Sequence, residues 1–293
     1  MTEAALRVAI AEELAASVIE AATVFAAALA ARPGVAAVLF YGSCLQKSTA
    51  DGLLDFYVLT DARRPFGQGA LEAAAGRALP PNVYHETLGT LRAKVAVIDI
   101  AAFAARMRAA NMDTSIWARF CQRAALPFAL DEAAREAVVG AVASAVETGA
   151  IWAERLAGGR AARPSAGAAW RTLFAATYGA ELRPETEGRA DAIVAMDEER
   201  FAKLWDLTAT ARAGAPEVDT GREWARRRRR GKVRNAARLV KAAFTFRGGL
   251  DYALWKVERH SGRPVEISPW ERRWPWLAAP CVAYRLWRER RLR

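Results

Sequence analysis

A glycine–serine pair between two hydrophobic strands, followed by a lone aspartate, constrains this chain more than any other feature. The segment VAAVLFY (35–41) has the apolar, β-prone composition of a buried strand and runs directly into Gly42 and Ser43. A polar stretch follows, and then a second apolar segment, LLDFYVLT (53–60), which carries Asp55. Glycine allows a backbone to approach a ligand closely, and an aspartate on the neighbouring strand can hold Mg²⁺ against phosphate oxygens. The pattern predicts either a triphosphate site or an ordinary β-turn-β unit with a solvated aspartate.

Composition limits the class of protein. The chain has 293 residues, 53% hydrophobic and 26% charged, which is typical of a globular protein with room for two domains. The chain has three cysteines, Cys44, Cys121 and Cys281, which are far apart and lack metal-ligand spacing. This odd number indicates free thiols in a reducing compartment rather than disulfide bonds. Four glutamates interrupt the first 30 residues, which argues against a signal peptide.

Charge is distributed unevenly along the chain. Residues 1–220 hold 22 lysines and arginines against 26 acidic residues, whereas residues 221–293 hold 21 against 6, a net charge of +15. Six of the ten tryptophans lie in this basic quarter. Its first segment predicts a helix in which one face is basic and another apolar. The basic face comprises Arg227, Arg230, Arg234, Arg238 and Lys241, and the apolar face Val233, Ala236, Val240 and Phe244.

An anionic membrane surface suits this basic, tryptophan-rich region, because arginines pair with lipid phosphates and indoles favour the headgroup layer. We therefore expect residues 221–293 to contact an anionic membrane surface, in a protein that is cytoplasmic and peripheral on the inner membrane. Nucleic acid is the competing partner, since arginine–aromatic interleaving also serves RNA. The sequence has neither an aromatic RNP strand nor a KH-type GXXG loop, which disfavours nucleic acid. A solvated charged tail is the third interpretation.

The pattern of elements predicts an α+β protein. An alanine-rich helix is expected over residues 4–31, strands at 35–41 and 53–60, and a strand pair at 82–88 and 92–100. Helical patterns dominate from residue 101 to about 213, and a linker follows. We predict a mixed-sheet domain at residues 1–110, a helical domain at 111–215 and a basic C-terminal region at 216–293.

Five blocks of the chain resemble one family. In chain order they are Tyr41-Gly42-Ser43 with Gln46; Leu54-Asp55-Phe56; Val83-Tyr84 with Lys94-Val95-Ala96-Val97; Trp117, Arg123 and Pro127; and Asp251-Tyr252, Lys256 and Arg259-His260-Ser261-Gly262. Over about residues 35–275 the chain resembles the phosphatidate cytidylyltransferases typified by the mitochondrial CDP-diacylglycerol synthase. The resemblance implies a nucleotidyltransferase-type (polymerase-beta-like) domain, a helical winged-helix-like domain and a membrane-contacting C-terminus.

The resemblance also implies a reaction, in which phosphatidic acid attacks the α-phosphorus of CTP and displaces pyrophosphate with the help of Mg²⁺. Asp55 would ligate the metal, and Lys94 would neutralise phosphate charge. The nucleotide-binding residues would be Tyr41, Gly42, Ser43, Gln46 and Arg123, and the acceptor-phosphate residues Lys256, Arg259 and His260. Two alternatives stay open: a nucleotidyltransferase of another acceptor, such as RNA, a small molecule or a protein, and a catalytically silent membrane-associated protein.

A second metal ligand is expected, because Mg²⁺ is commonly held by one or two carboxylates together with phosphate and water oxygens. Asp51, Glu86 and Asp99 are the candidates. Glu86 is favoured because a carboxylate stands there where the family has an amide. Asp99 lies five residues after Lys94, so strand alternation places it on the opposite face. Asp51 has the setting of a turn residue before a glycine.

Two arginines, Arg119 and Arg123, lie four residues apart in a region with helical pattern. On a continuous helix they would share one face. The pair predicts either a binding surface for the nucleotide or the acceptor phosphate, or a solvated helix face.

Overall fold

A five-stranded mixed sheet organises the computed structural model, which describes residues 2–61, 66–180, 188–245 and 265–273 and positions 281, 285 and 288. The strands are β1 Val35–Tyr41, β2 Leu54–Thr60, β3 Asn82–Leu88, β4 Leu91–Asp99 and β5 Ala124–Ala129. Their order is β3-β4-β2-β1-β5; β2 and β4 run parallel, and the other neighbours are antiparallel. The protein is therefore α+β, as the sequence predicts.

Helices cover both faces of the sheet. Those in the first part of the chain are α1 Thr2–Leu14, α2 Glu20–Ala30, α3 Ser43–Gln46, α4 Ala70–Ala78, α5 Ile100–Met107 and α6 Thr114–Phe120. Those that follow are α7 Glu132–Leu156, α8 Gly159–Ala162, α9 Ala166–Tyr178, α10 Arg189–Ala195, α11 Glu198–Leu207, α12 Ala209–Gly214 and α13 Thr220–Thr245; a further short helix spans Pro269–Arg273.

The predicted helix over residues 4–31 is in fact two helices, α1 and α2. Leu6, Ile10 and Leu14 of α1 are buried in the core that also holds Leu39 of β1. The apolar residues of α2, among them Phe25, are buried in a second core against the opposite face of the sheet. The break between the helices lets each half bury its apolar side against a different face, which a single straight helix could not do.

Strand β5 is a departure from the expected run of helices after residue 101. It pairs antiparallel with β1, and Pro127 lies within it. Proline is tolerated there because β5 is an edge strand, where the missing N–H removes no bond to a further strand. The sheet thus takes its fifth strand from beyond the boundary predicted at residue 110, and one continuous core spans that boundary. Among the described residues between 111 and 215, β5 is the only strand and belongs to this sheet, so no separate β-wing is seen there.

The 25-residue helix α7 is the centre of the larger core and packs against α5, α6 and α9. Among the described residues it is the only helix long and apolar enough to cross a membrane, and most of its apolar stretch is buried inside the protein. Burial of this kind is typical of a core helix.

The basic helix α13 packs against α6 and the start of β3, and several residues of its basic face contact the protein. Arg227 is buried and donates to the carbonyl oxygens of Ala109 and Asn111. Lys241 donates to the carbonyls of Leu79 and Pro81, at 2.6 and 2.7 Å. Trp224, one of the tryptophans of the basic quarter, is buried against Trp152. Arg227, Arg238 and Lys241 of the basic face therefore dock α13 onto the fold, whereas Arg230 of that face is exposed.

Candidate functional site

Four polar or aromatic side chains form a row across four strands. Tyr41 of β1 pairs with Asp55 of β2, Asp55 pairs with Lys94 of β4, and Lys94 pairs with His85 of β3. Residues paired in register project from the same face of a sheet, so these side chains are neighbours. Tyr41 and His85 are buried, whereas Asp55 and Lys94 are partly exposed. The sheet thus brings the proposed metal ligand beside the proposed phosphate-neutralising lysine.

Gly42 lies against Asp55 at the point where β1 ends. Its φ is +87°, in the region that favours glycine, and it directly precedes the short helix α3 that begins at Ser43. A Cβ atom built on Gly42 would lie 2.9 Å from Oδ2 of Asp55. The exposed Ser43 follows immediately, so the glycine–serine turn and the carboxylate form one continuous surface. A side chain at position 42 would occupy the space between the turn and the Asp55 carboxylate.

Gly42→Ala is expected to destabilise the fold by about 2 kcal/mol and to abolish ligand binding at this turn, because it combines left-handed backbone strain with a clash against Asp55. Gly89→Ala is the matched control: Gly89 also has a positive φ, +58°, but a Cβ there would meet nothing within 4 Å. Urea unfolding of both variants measures the difference. Equal losses of stability and unchanged binding in Gly42→Ala would contradict the role of the close approach.

The side chains of the other predicted nucleotide-binding residues, Gln46 and Arg123, contact different parts of the fold. Nε2 of Gln46 donates to Oε1 of Gln122 at 3.3 Å, which links α3 to the chain just before β5. The guanidinium of Arg123 is turned to Asp197 at the start of α11, and the hydrogen bond to that carboxylate raises the pKa of Arg123. Gln46 therefore lies close to the glycine–serine turn, whereas the Arg123 charge is directed to a structural partner.

Glu86 does not join Asp55. It pairs with Ala93, one residue out of step with the Asp55–Lys94–His85 row, and so projects from the opposite face of the sheet. There Arg32 donates two hydrogen bonds to its carboxylate, both of 2.8 Å. The hydrogen bond and the charge of Glu86 outweigh burial and raise the pKa of Arg32. The choice of Glu86 as a metal ligand beside Asp55 is thus not supported by the geometry, because strand alternation separates the two carboxylates.

The other two candidate ligands are also engaged elsewhere. Asp51 accepts a hydrogen bond from the Thr49 hydroxyl in the turn before β2. Asp99 caps α5 by accepting from the backbone N–H of Ala102 at 2.9 Å. The described part of the chain has no group of three or more histidine, cysteine, aspartate or glutamate side chains suited to a metal ion. Among the described candidates, Asp55 is therefore the carboxylate that fits Mg²⁺, with phosphate and water oxygens completing the coordination, an arrangement common for this ion.

Arg119 lies beside the candidate site, in a position that its spacing in the sequence does not predict. Helix α6 ends at Phe120, so Arg119 and Arg123 do not share a helix face. Nη1 of Arg119 donates to the Tyr57 hydroxyl at 3.3 Å, and its guanidinium carbon lies 5.7 Å from the centre of the Tyr41 ring. These tyrosines flank Asp55 on the same face of the sheet. Only the packing of α6 over the sheet reveals this, because nothing in the local sequence links α6 to β1 and β2.

The three predicted acceptor-phosphate residues, Lys256, Arg259 and His260, lie outside the described residues. Their role stays a prediction.

Comparison with known proteins adds little to this geometry. No protein-family model and no curated protein sequence matches the chain. A solved structure, that of a nucleotidyltransferase-like protein from Exiguobacterium sibiricum, aligns with 85% of this chain and 82% of its own, at 14% identity and a TM-score of 0.29. A TM-score this low does not establish a shared fold. Function is therefore inferred from the residues of the site.

Proposed function

We propose that this protein is a Mg²⁺-dependent nucleotidyltransferase. One observation carries the proposal: the Gly42–Ser43 turn lies directly against the Asp55 carboxylate, and Lys94 is paired with Asp55 in the next strand. A close-approach turn, a hard anionic ligand and a cation are the groups that nucleotidyl transfer needs, since this chemistry depends on positioning and charge neutralisation.

The roles follow from this arrangement. Gly42 and Ser43 bind the β- and γ-phosphates of the nucleotide, and Lys94 neutralises the charge near the α-phosphate. Asp55 would hold Mg²⁺ together with phosphate oxygens, and the ion would supply Lewis-acid stabilisation of the charge that develops on the leaving pyrophosphate. An oxygen of the acceptor forms the new bond to the α-phosphorus as the bond between the α-phosphorus and the bridging oxygen to the β-phosphate breaks. Residues of the chain thus hold the reactants in line without forming a covalent intermediate.

We further propose CTP as the nucleotide and phosphatidic acid as the acceptor, on the strength of the five sequence blocks that resemble phosphatidate cytidylyltransferases. Pyrophosphate release tests this with each of the four nucleotides and Mg²⁺, with and without phosphatidic acid in mixed micelles. Release from CTP that requires the lipid is the expected result. Release without the lipid would support a nucleotidyltransferase whose acceptor is not phosphatidic acid. No release with any nucleotide would favour a catalytically silent membrane-associated binding protein.

The outward face of α13 is the surface that we propose for an anionic membrane. Arg222, Arg226 and Arg229 lie on one side of the helix with Val233 and Val240, both more than 60% exposed. Exposed valines among arginines fit a lipid surface, where aliphatic groups enter the acyl boundary and cations meet phosphates.

Arg229→Glu combined with Val233→Asp is expected to weaken binding to vesicles that contain phosphatidic acid by at least about tenfold, because each cation near such a surface contributes about 1 kcal/mol. Co-sedimentation measures this, with neutral phosphatidylcholine vesicles as the reference. Arg135→Glu is the control, because it reverses the charge of an exposed arginine on α7, outside the proposed membrane surface, and should leave vesicle binding unchanged. Binding by the double variant equal to that of the unaltered protein would overturn the assignment of this face.

A further inference from the structure

Arg119 of α6 lies over the end of β1, on the same flank of Asp55 as the glycine–serine turn. Its guanidinium carbon is 5.7 Å from the centre of the Tyr41 ring, and Tyr41 is the residue directly before Gly42. Lys94 lies on the other flank, because the strand that carries Asp55 has β1 on one side and β4 on the other. A second cation is therefore placed beside the turn, across Asp55 from Lys94.

The aromatic core beneath Arg119 fixes its position. Phe120, the next residue of α6, is fully buried and packs against the rings of Tyr41 and Tyr57, with centroid distances of 5.9 and 5.1 Å. Nη1 of Arg119 donates to the Tyr57 hydroxyl at 3.3 Å, and Tyr57 is only 1% exposed. Arg119 itself is partly exposed. A partly exposed guanidinium that is anchored on packed rings can meet a ligand without first being ordered.

Arg123, which the family resemblance assigns to the nucleotide, has a structural partner instead. Its Nε and Nη2 atoms both donate to the carboxylate of Asp197. Arg119 belongs to none of the five sequence blocks, yet it lies over Tyr41, the first residue of the first block. The structure therefore places a different arginine beside the turn from the one that the resemblance implies.

Nucleotidyl transfer makes a chemical demand on this flank of the site. As the acceptor oxygen bonds to the α-phosphorus, the electron pair of the breaking bond passes to the oxygen that bridges the α- and β-phosphates. That oxygen leaves as part of pyrophosphate, so negative charge grows on the side of the Gly42–Ser43 turn. A planar guanidinium carries five N–H donors, enough to keep a bond to a tyrosine hydroxyl while a pair of them donates to phosphate oxygens. A cation held there stabilises the transition state.

We propose that Arg119 binds the leaving pyrophosphate and that the Tyr57 hydroxyl positions its guanidinium. Arg119 is then a catalytic residue, because it touches the leaving group, and Tyr57 is a positioning residue that acts through Arg119. Both roles rest on the proposed function and add to it the cation that neutralises the leaving group.

Steady-state kinetics of the full chain test the role of Arg119. Arg119→Gln is expected to lower kcat about a hundredfold, to raise the inhibition constant of pyrophosphate about tenfold or more, and to leave the KM for phosphatidic acid within about twofold. Arg119→Lys, which keeps the charge but loses the paired donors, is expected to recover part of both losses. Arg108→Gln is the matched control, because Arg108 is an exposed arginine between α5 and α6. A higher KM for the acceptor with unchanged pyrophosphate inhibition would overturn the assignment.

Two CTP analogues test the leaving group directly. β,γ-Difluoromethylene CTP releases a less basic bisphosphonate than β,γ-methylene CTP, so its reaction depends less on a cation at the leaving group. The ratio of their single-turnover rates is expected to rise several-fold in Arg119→Gln. An equal ratio in the variant and the unaltered protein would exclude a leaving-group role.

A double-mutant cycle tests the positioning role of Tyr57. Tyr57→Phe removes the hydroxyl and keeps the buried ring, and it is expected to lower kcat about tenfold, the loss typical of one hydrogen bond to a charged group. In the Arg119→Gln background the same change should have no further effect, since the hydroxyl then has no guanidinium to hold. A tyrosine with a merely structural role would lower kcat by the same factor in both backgrounds.

Pyrophosphate binding separates failure of the Arg119 assignment from failure of the proposed function. Isothermal titration calorimetry with pyrophosphate and Mg²⁺ is expected to show binding that weakens about tenfold or more in Arg119→Gln but not in Arg108→Gln. Circular dichroism checks the fold of each variant, and Arg119→Lys takes the place of Arg119→Gln where the latter is unfolded. The expected pattern in a protein that transfers no nucleotide would support the pyrophosphate site and refute the transferase. No binding by the unaltered protein, or equal binding by the Arg119 variant, would overturn the proposal.

Discussion

Replacing Asp55 by asparagine is expected to lower nucleotidyl transfer about a hundred- to a thousandfold without unfolding the protein. Asparagine keeps the size of the side chain beside Gly42 but removes the negative charge that holds Mg²⁺ against the nucleotide. Losses of this size are typical when a group that stabilises transition-state charge is removed. Pyrophosphate release from CTP measures the effect, and circular dichroism checks the fold. Turnover equal to that of the unaltered protein would exclude Asp55 from the site.

Glu86→Gln is the control that separates the two carboxylates. Its partner is Arg32 on the other face of the sheet, so the change is expected to cost about 1 kcal/mol of unfolding free energy and to leave turnover unchanged. Mn²⁺ binding followed by electron paramagnetic resonance adds a readout independent of turnover. A site with one carboxylate is expected to bind the ion tightly only when nucleotide is present, and Asp55→Asn is expected to remove that gain.

Replacing Arg238 by methionine is expected to have the largest effect on stability, about 3 kcal/mol, and to loosen α13. Arg238 donates to the carbonyl of Pro80 and to the Ser115 hydroxyl, and it pairs with Asp113, whose side chain is only 2% exposed. Removal of one partner from a buried ion pair leaves the other charge uncompensated, which costs several kcal/mol. Urea unfolding measures the global change, and hydrogen exchange of α13 measures its detachment. Arg230→Met, at an exposed position of the same helix, is expected to cost less than about 0.5 kcal/mol.

The same pair predicts a dependence on pH. Burial alone would raise the pKa of Asp113, but the charge of Arg238 and the hydrogen bonds from Arg238 and Ser115 hold that pKa below its ordinary value. A carboxyl whose pKa is depressed on folding stabilises the native state above its unfolded pKa of about 3.9, and that contribution is lost as the pH falls toward the folded pKa. The stability difference between the unaltered protein and Arg238→Met is therefore expected to shrink below about pH 4. A difference that stays constant between pH 3 and pH 7 would contradict the role of this pair.

The two strands that carry the site and the glycine–serine turn between them could be predicted from local sequence. Strands β1 and β2 are runs of apolar residues with high β-propensity, and the glycine–serine pair marks the turn after β1. These two local signals together indicate the strand–turn–strand unit that carries Asp55. The pairing of Lys94 with Asp55 needs more, because it depends on β2 and β4 lying parallel and in register. That arrangement requires a crossover through α4 and β3, which no local pattern specifies.

Tertiary structure alone decided which way the charged side chains turn. Strand alternation placed Glu86 on the face opposite to Asp55, and an arginine 54 residues away took its carboxylate. The basic face of α13 has the same helical period whether its partner is lipid or protein. The carbonyl oxygens of residues before α6 and before β3, together with the Asp113 carboxylate, bind Arg227, Arg238 and Lys241 of that face and hold it against the protein. By itself the sequence determined where apolar strands, turns and charge occur along this chain. Only packing chose the partner of each charge, because a buried charge is stable only where another element offers oxygen atoms or an opposite charge to meet it.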